Sequence, residues 1–368
     1  MIFIFVLVFG VLFLFTSIRK IASAPYGSII AGAIVIFVPV CFMFRETKLA
    51  SVGQAFLAVW LCEALLLYLS WSLVRAIHFA CTRKKFNEQV SKRSSRIILA
   101  FSLMLTLTMC IVGERINAHY VIRKTTIQLQ DSRQTGNFSA VFFSDLHLDP
   151  LFDKGKLERM IHDIDSLHPD FLLFGGDLSD MADSALRENG FDLLLKELAT
   201  KTRTAAIAVN GNHEGYIERN GNNPMGILKD MGWTVLDDST TCFSQACFTG
   251  RTDLQVARTR GIERKALENL HPQTDTLPWL LLDHEPKGIE NGYAGRLPDF
   301  AMSGHTHNGQ FFPGTAIIKL VWELPYGIGE IAGVRWLVSS GVDSWGPPVR
   351  IGSSTEIWLI EFVNGEKR

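Results

Sequence analysis

Five short clusters of carboxylate, carboxamide and imidazole groups lie between residues 145 and 307. They are Asp145-x-His147, Gly175-Gly-Asp177, Asn210-Gly-Asn-His-Glu214, Asp283-His284 and Ser303-Gly-His-Thr-His307. Oxygen and imidazole donors together suit divalent manganese, iron or zinc, and no thiolate accompanies them to force a softer choice. The set as a whole suits two adjacent divalent metals. A single Asp-x-His pair means little, because it recurs by chance. The weight comes from the ordered series, in which cluster after cluster closes an apolar run.

Those runs are what must position the donors. Ala140-Val-Phe-Phe143 leads into Asp145, Asp170-Phe-Leu-Leu-Phe174 into Asp177, and Ala205-Ala-Ile-Ala-Val209 into Asn212. Residues 279–282 lead into His284, and 300–302 into His305. Each run reads as a strand. Strand alternation would then point Asp145 and His147 the same way, off the carboxyl end. That edge is where open α/β sheets bind ligands. Glycines beside the donors permit sharp turns. Between these strands, residues 156–167 carry Leu157, Met160, Ile161 and Ile164 at helical spacing, and 185–198 reads as a second helix. The order β–α–β–α–β implies parallel pairing with right-handed crossovers. Past Asn212, residues 234–236, 242–248 and 254–256 fit strands of a second sheet, and 261–270 reads as a helix.

The ordered set Asp145-x-His147, Gly176-Asp177, Gly211-Asn212-His213-Glu214, His284 and Gly304-His305-x-His307 resembles the calcineurin-like metallophosphoesterases. Ser303-Gly-His-Thr-His-Asn-Gly-Gln310 and Ser344-Trp-Gly-Pro-Pro-Val-Arg350 carry a finer resemblance, to the membrane-associated YkuE/YaeI-type phosphodiesterase branch of bacteria. Asn308 departs from that branch, where glycine is common. The resemblance covers roughly the carboxyl-terminal two-thirds of the chain. It implies an α/β fold in which a two-sheet β-sandwich is flanked by helices. It also implies a ligand arrangement: Asp145, His147 and His307 on one metal, Asn212, His284 and His305 on the other, and Asp177 bridging. His213 would be the catalytic histidine, stabilising the transition state or protonating the leaving alkoxide. Asp180 and Glu214 are read as outer-shell or surface residues.

The expected reaction is phosphoester hydrolysis by attack of a metal-activated hydroxide, with two divalent metal ions as cofactors. The Gly-Asp-x-x-x-Arg-Gly block of protein phosphatases is absent, the text here being Gly176-Asp-Leu-Ser-Asp180. A phosphodiester is therefore the leading substrate: a phospholipid, a lipid-linked ester or another extracytoplasmic phosphoester. A phosphomonoesterase is the alternative enzyme. A membrane scaffold or sensor with an inactive phosphoesterase domain is the alternative of another class. Trp345-Gly-Pro-Pro348 and Phe311-Phe-Pro313 fit either an apolar rim for acyl chains or ordinary packing loops.

The amino-terminal third differs in kind. Apolar stretches of membrane length occupy residues 1–16, 26–44, 52–74 and 97–112, against the ~20 residues a spanning helix needs. The first also fits a signal-peptide core, except that its charge, Arg19-Lys20, follows the apolar run. The expected layout is a four-helix transmembrane region at 1–114, a connector with a first strand at 115–137, and the metallophosphoesterase domain at 138–368. Arg75, Arg83, Lys84, Lys85, Lys92, Arg93 and Arg96 in the third connection make that loop cytoplasmic by the positive-inside rule. Four crossings would then put the catalytic domain on the periplasmic or extracytoplasmic side of a bacterial inner membrane. Cys41, Cys62, Cys81 and Cys110 fall in or beside the apolar segments. Cys242 and Cys247 form a local pair that is either a disulfide or two reduced thiols. The formal charge of −1 shows no basic excess, so the expected partners are a phosphoester and the membrane, not nucleic acid.

Overall fold

A computed structural model of the protein describes residues 47–129, 136–289 and 293–364. They divide into two compact units, one ending at Arg115 and taking in Gly346–Val349, the other comprising the rest.

The first unit holds two long helices, α1 (Lys48–Thr82) and most of α2 (Glu88–Ala118). Both are apolar over most of their length, and Ile97, Phe101, Met104, Leu107 and Ile111 of α2 are exposed. Among the described residues one helix stretch, Gln89–Ala118, is long and apolar enough to cross a membrane. Its 30 residues would span about 45 Å. Thr106 of α2 donates to Oε2 of buried Glu63 of α1 at 3.1 Å, while Oε1 has no hydrogen-bond partner among the described residues. The stretch 52–74 expected to span lies within α1, and 97–112 within α2. The stretches 1–16 and 26–44 lie outside the described residues.

The second unit is a two-sheet sandwich. Twelve strands are described: β1 (Val121–Leu129), β2 (Phe138–Phe143), β3 (Phe171–Phe174), β4 (Ala205–Val209), β5 (Thr234–Leu236), β6 (Ser239–Cys242), β7 (Cys247–Gly250), β8 (Trp279–Leu282), β9 (Phe300–Ser303), β10 (Gly327–Ile331), β11 (Val334–Val338) and β12 (Glu356–Asn364). One sheet runs β1-β12-β2-β3-β4-β5 and the other β10-β11-β9-β8-β7-β6. Strands β2 to β5 pair in parallel, as do β7, β8, β9 and β11.

Alternation places each strand's two apolar faces. Ala140, Phe142, Phe171, Leu173, Ile207 and Val209 face Phe248, Leu280, Leu282, Phe300 and Met302 in the layer between the sheets. Val141, Phe143, Leu172 and Phe174 point outward against α3 (Lys154–Leu167) and α5 (Phe191–Ala199). A strand covered on both faces must be apolar throughout, as Phe171–Phe174 is. Helix α3 starts where the Asp153 carboxylate accepts from Gly155 N–H, and it ends at His168 in the left-handed region.

Four expected elements differ. The helix expected over 185–198 is two, α4 (Asp183–Glu188) and α5, separated by Gly190 at φ 70°. Residues 242–248, read as one strand, are the turn of a hairpin joining β6 to β7. Residues 254–256, read as a strand, begin α8 (Leu254–Arg260), because Asp253 caps it through Gln255 N–H and Gly261 ends it in a left-handed conformation. The helix expected over 261–270 survives only as a short turn at Leu267–Leu270. Three further helices complete the unit: α6 (Asn212–Glu218), α7 (Pro224–Asp230) and α9 (Gly314–Val321).

Candidate metal centre

The donors do not project from the strands themselves. β2 ends at Phe143, and Asp145 and His147 lie in the loop beyond it, so strand alternation is not what aims them. Asp145, His147, Asp177, His305 and His307 all have positive φ, between 45° and 70°. A non-glycine residue held there costs about 1–3 kcal/mol. Five such residues in one place mark loops wound against their intrinsic preference so that their side chains converge. Asn308, where the related branch favours glycine, has φ 50°, a conformation asparagine tolerates better than most residues.

Backbone bonds lace these loops together. Asp145 N–H donates to Gly176 C=O at 2.9 Å, and His147 N–H to Asp177 C=O at 3.1 Å. Gly304 N–H donates to His284 C=O at 3.1 Å, and His305 N–H to Asp145 Oδ1 at 3.1 Å. Glycine is needed at two contact points. A Cβ on Gly211 would lie 2.3 Å from Asp177 Oδ1, and one on Gly304 would lie 2.3 Å from Asp145 Oδ2.

All seven residues expected to hold metal come together. Asp145, His147 and His307 bring one donor atom each within 4.8 Å of one another, and so do Asp177, His284 and His305. His147 Nε2 faces His307 Nε2 at 3.2 Å. Asp177 Oδ2 lies 3.6 Å from His147 Nε2 and 3.1 Å from His284 Nε2, between the two groups. Asn212 Oδ1 lies 2.8 Å from His305 Nδ1 and 3.2 Å from His284 Nε2. The other ring nitrogens are occupied: His284 Nδ1 is 2.7 Å from Gly175 C=O, and His307 Nδ1 is 3.2 Å from Asp343 C=O. The carbonyl on His284 Nδ1 leaves its Nε2 as a lone pair turned to the site, while His307 Nδ1 also meets Arg350 Nη2 at 3.0 Å.

The electrostatics follow from burial and crowding. Burial opposes the charge on His147, but Asp180, Asp177 and Asp145 outweigh it and raise the imidazole to about 9. His284 is likewise raised by Asp177 despite burial. Burial, then the charge of His284, lowers His305 to about 4. Burial and the Arg350 guanidinium hold His307 well below the usual range. Burial works against ionised Asp177, yet His284, His213 and His147 keep it anionic. Four imidazoles, two carboxylates and an amide converge there, and all seven become donors once His147 and His284 give up their protons. Divalent cations fit that arrangement.

His213, expected to be catalytic, donates its backbone N–H to Asp177 Oδ1 at 2.9 Å. Its Nδ1 is hydrogen-bonded to Asp180 Oδ1, and Asp180 also lies 3.4 Å from His147 Nδ1. Asp180 therefore orients two site histidines at once; the signal was its place three residues after Asp177. Glu214 is fully buried and accepts from Asp177, Leu178 and Gly211 N–H groups, so it fixes the bridging loop and is no surface group. Sequence reasoning gave no role to Asp343 or Arg350, which brace His307 from behind.

The calcineurin-like phosphoesterase family matches residues 138–309, the stretch that supplies the whole set. The chain carries a calcineurin-like metallophosphoesterase domain. It is 27% identical over 244 residues to an uncharacterized metallophosphoesterase of Helicobacter pylori, covering 66% of this chain and 64% of that protein. It thus spans just under two thirds of that relative. It is also 28% identical, over 93% of its own length and 76% of the relative's, to a transmembrane protein with metallophosphoesterase domain of Bos taurus. To the uncharacterized metallophosphoesterase YkuE of Bacillus subtilis it is 28% identical, over 47% of this chain and 59% of that protein.

Proposed function

We propose that the protein is a membrane-anchored, dinuclear metal-dependent phosphodiesterase acting on a phospholipid or lipid-linked phosphoester. In this reading Asp145, His147 and His307 hold one ion, Asn212, His284 and His305 hold the other, and Asp177 bridges. Such a pair, when bound, polarises phosphoryl oxygens and lowers the pKa of a water nucleophile. The chain's own residues do the rest. Asp177 accepts the His213 backbone N–H, which ties the catalytic loop to the metal bridge. Asp180 takes His213 Nδ1, and with Asp177 it outweighs burial to raise that imidazole above its ordinary value. The raised value favours the protonated form, from which His213 would donate to the leaving oxygen.

The observation that carries the lipid reading is the apolar rim. Trp345, half exposed, sits 6.2 Å from the His213 ring, and Trp322 sits 5.4 Å from His305. Gln310 clasps both the N–H and the C=O of Trp345. It precedes exposed Phe312 and helix α9, in which no residue is buried. Ile317, Leu320 and Val321 of α9 are 53%, 87% and 65% exposed. Apolar surface beside a polar centre fits acyl chains better than a soluble ester. The layout proposed is a membrane region at 1–114, a connector at 115–137 and the catalytic domain at 138–368. Four helices would place that domain outside the cytoplasm. The Cys242–Cys247 disulfide supports an oxidising compartment.

The test is hydrolysis by the full chain in detergent, stripped of metal and reloaded with manganese, iron or zinc. An aryl phosphodiester, an aryl phosphomonoester and a phospholipid in mixed micelles would be compared. Metal-dependent diester cleavage, faster on the micellar lipid and lost in Asp177→Asn, is the expected result. Monoester preference would replace the diesterase reading. Inertness of the loaded protein on all three would favour a binding role.

A further inference from the structure

The last turn of α2, the helix long and apolar enough to cross a membrane, contributes one polar residue to the wall of the candidate site. Asn117 is 6% exposed, and every polar group on it is engaged. Its Nδ2 donates to Asp343 Oδ1 at 2.7 Å. Its Oδ1 accepts from Ser344 Oγ at 2.7 Å. Its backbone carbonyl accepts from buried Lys156 Nζ at 2.7 Å, and the same ammonium holds Asp343 Oδ2 at 3.1 Å.

The residues on the far side of those bonds touch the metal-ligand candidates. Asp343 C=O lies 3.2 Å from His307 Nδ1, and Asp343 N–H donates to the Asp145 carbonyl at 3.0 Å. Ser344 Oγ accepts from Arg350 Nε at 3.1 Å. Arg350, fully buried, donates to the His307 carbonyl at 2.8 Å and to Asp343 C=O at 2.6 Å. Two routes thus lead from one amide to His307, one of two hydrogen bonds through Asp343 and one of three through Ser344 and Arg350. A buried network of this kind holds its members only while every member is satisfied.

We infer that Asn117 is a positioning residue for the ion held by Asp145, His147 and His307, coupling the end of the apolar helix to the geometry of that half of the centre. The inference rests on the proposed reading of His307 as a ligand. Losing Asn117 leaves the Asp343 carboxylate to Lys156 Nζ and the Ser344 N–H, lets its carbonyl shift from His307 Nδ1, and loosens the imidazole. Outer-shell partners of metal-bound histidine are typically worth about 10–100-fold in metal affinity. The ion that Asn212, His284 and His305 would hold is linked less directly, through the Asp343 N–H bond to Asp145 and the His305 N–H bond to the Asp145 carboxylate.

The experiment is manganese titration of the metal-free, full-length protein in detergent. Bound ion is read by electron paramagnetic resonance, and folding by circular dichroism on the same samples. His307→Ala first checks the site reading: if it binds two ions as the wild type does, that reading fails, whatever Asn117 does. Given loss of one ion in His307→Ala, Asn117→Ala should weaken that same ion by about tenfold and leave the other unchanged. Ser344→Ala, which cuts the second route without touching the helix, should weaken the same ion in the same direction. The exchange N117D/D343N, which reverses donor and acceptor, should recover part of the loss. Wild-type affinity for both ions in Asn117→Ala, or in Ser344→Ala should the first variant fail to fold, overturns the inference. So does equal weakening of both ions together with a lower melting temperature, which is what a purely structural role would give.

Discussion

The Asp180 carboxylate is hydrogen-bonded to Nδ1 of His213. The bond fixes the ring and leaves Nε2 to carry the proton that a leaving oxygen needs. Asp180→Asn keeps the shape but removes one of the two carboxylates, Asp177 being the other, that raise His213. Because general acid catalysis is worth about 10²–10⁴-fold, kcat should fall at least ~100-fold with KM nearly unchanged. Steady-state kinetics on an aryl phosphodiester checks this. An unchanged kcat would remove Asp180 from the mechanism.

Gly304→Ala tests whether the centre tolerates any bulk behind Asp145. The new methyl would lie 2.3 Å from Asp145 Oδ2 and 2.4 Å from Ser144 Oγ. Overpacking of this kind costs about 1–3 kcal/mol, and the carboxylate is the mobile partner. Metal content after dialysis, measured by mass spectrometry, should drop sharply while the circular dichroism spectrum stays native. Retention of two ions would mean that Asp145 does not depend on this contact.

Metal uptake should depend steeply on pH. His147 is raised to about 9 by Asp180, Asp177 and Asp145 against the opposing effect of burial. A raised value means that the proton is held up to higher pH, and an ion must displace it to bind there. Affinity for manganese should therefore rise between pH 7 and 9, by about tenfold per pH unit for each proton displaced. The rise should level off above that range. Calorimetry in two buffers of different ionisation heat should show proton release at pH 7.5. A flat affinity profile would contradict the assignment of His147.

The pair Cys242 and Cys247 closes the β6–β7 hairpin, joining residues directly opposite in register. So small a loop constrains the unfolded chain by about 2 kcal/mol. The double replacement C242S/C247S should lower stability to urea by that order, with diester hydrolysis retained in the folded protein. A larger loss of activity than of stability would tie the hairpin to the site.

Much of this was legible in the residues themselves. Phe171–Phe174, Ala205–Val209 and Trp279–Leu282 were found at their true bounds, because each is a short apolar run stopped by small or polar residues. The side chains that converge in the loops beyond them were legible for the same reason. The aiming of those donors was not, since it depends on left-handed residues such as Asp145 and His307, and a sequence does not display its φ angles. Residues 254–256 were misread because three residues cannot distinguish periods of 2 and 3.6; the decisive capping residue, Asp253, lies just outside them. Asn117 was invisible because its side-chain partners are more than 200 residues away.

The seam between β1 and β12 bears on how the catalytic unit can be isolated. The two strands pair in parallel over nine residues, from Val121 against Glu356 to Leu129 against Asn364. A fragment begun after Leu129 would strip β12 of that neighbour and turn it into an open edge bearing Trp358, Ile360 and Phe362. Such edges recruit other chains. A truncation of that kind should self-associate through β12 and would also lack Asn117. Its inactivity would then report aggregation and a slackened His307 rather than the chemistry of the centre, so the shortest informative piece begins before Asn117.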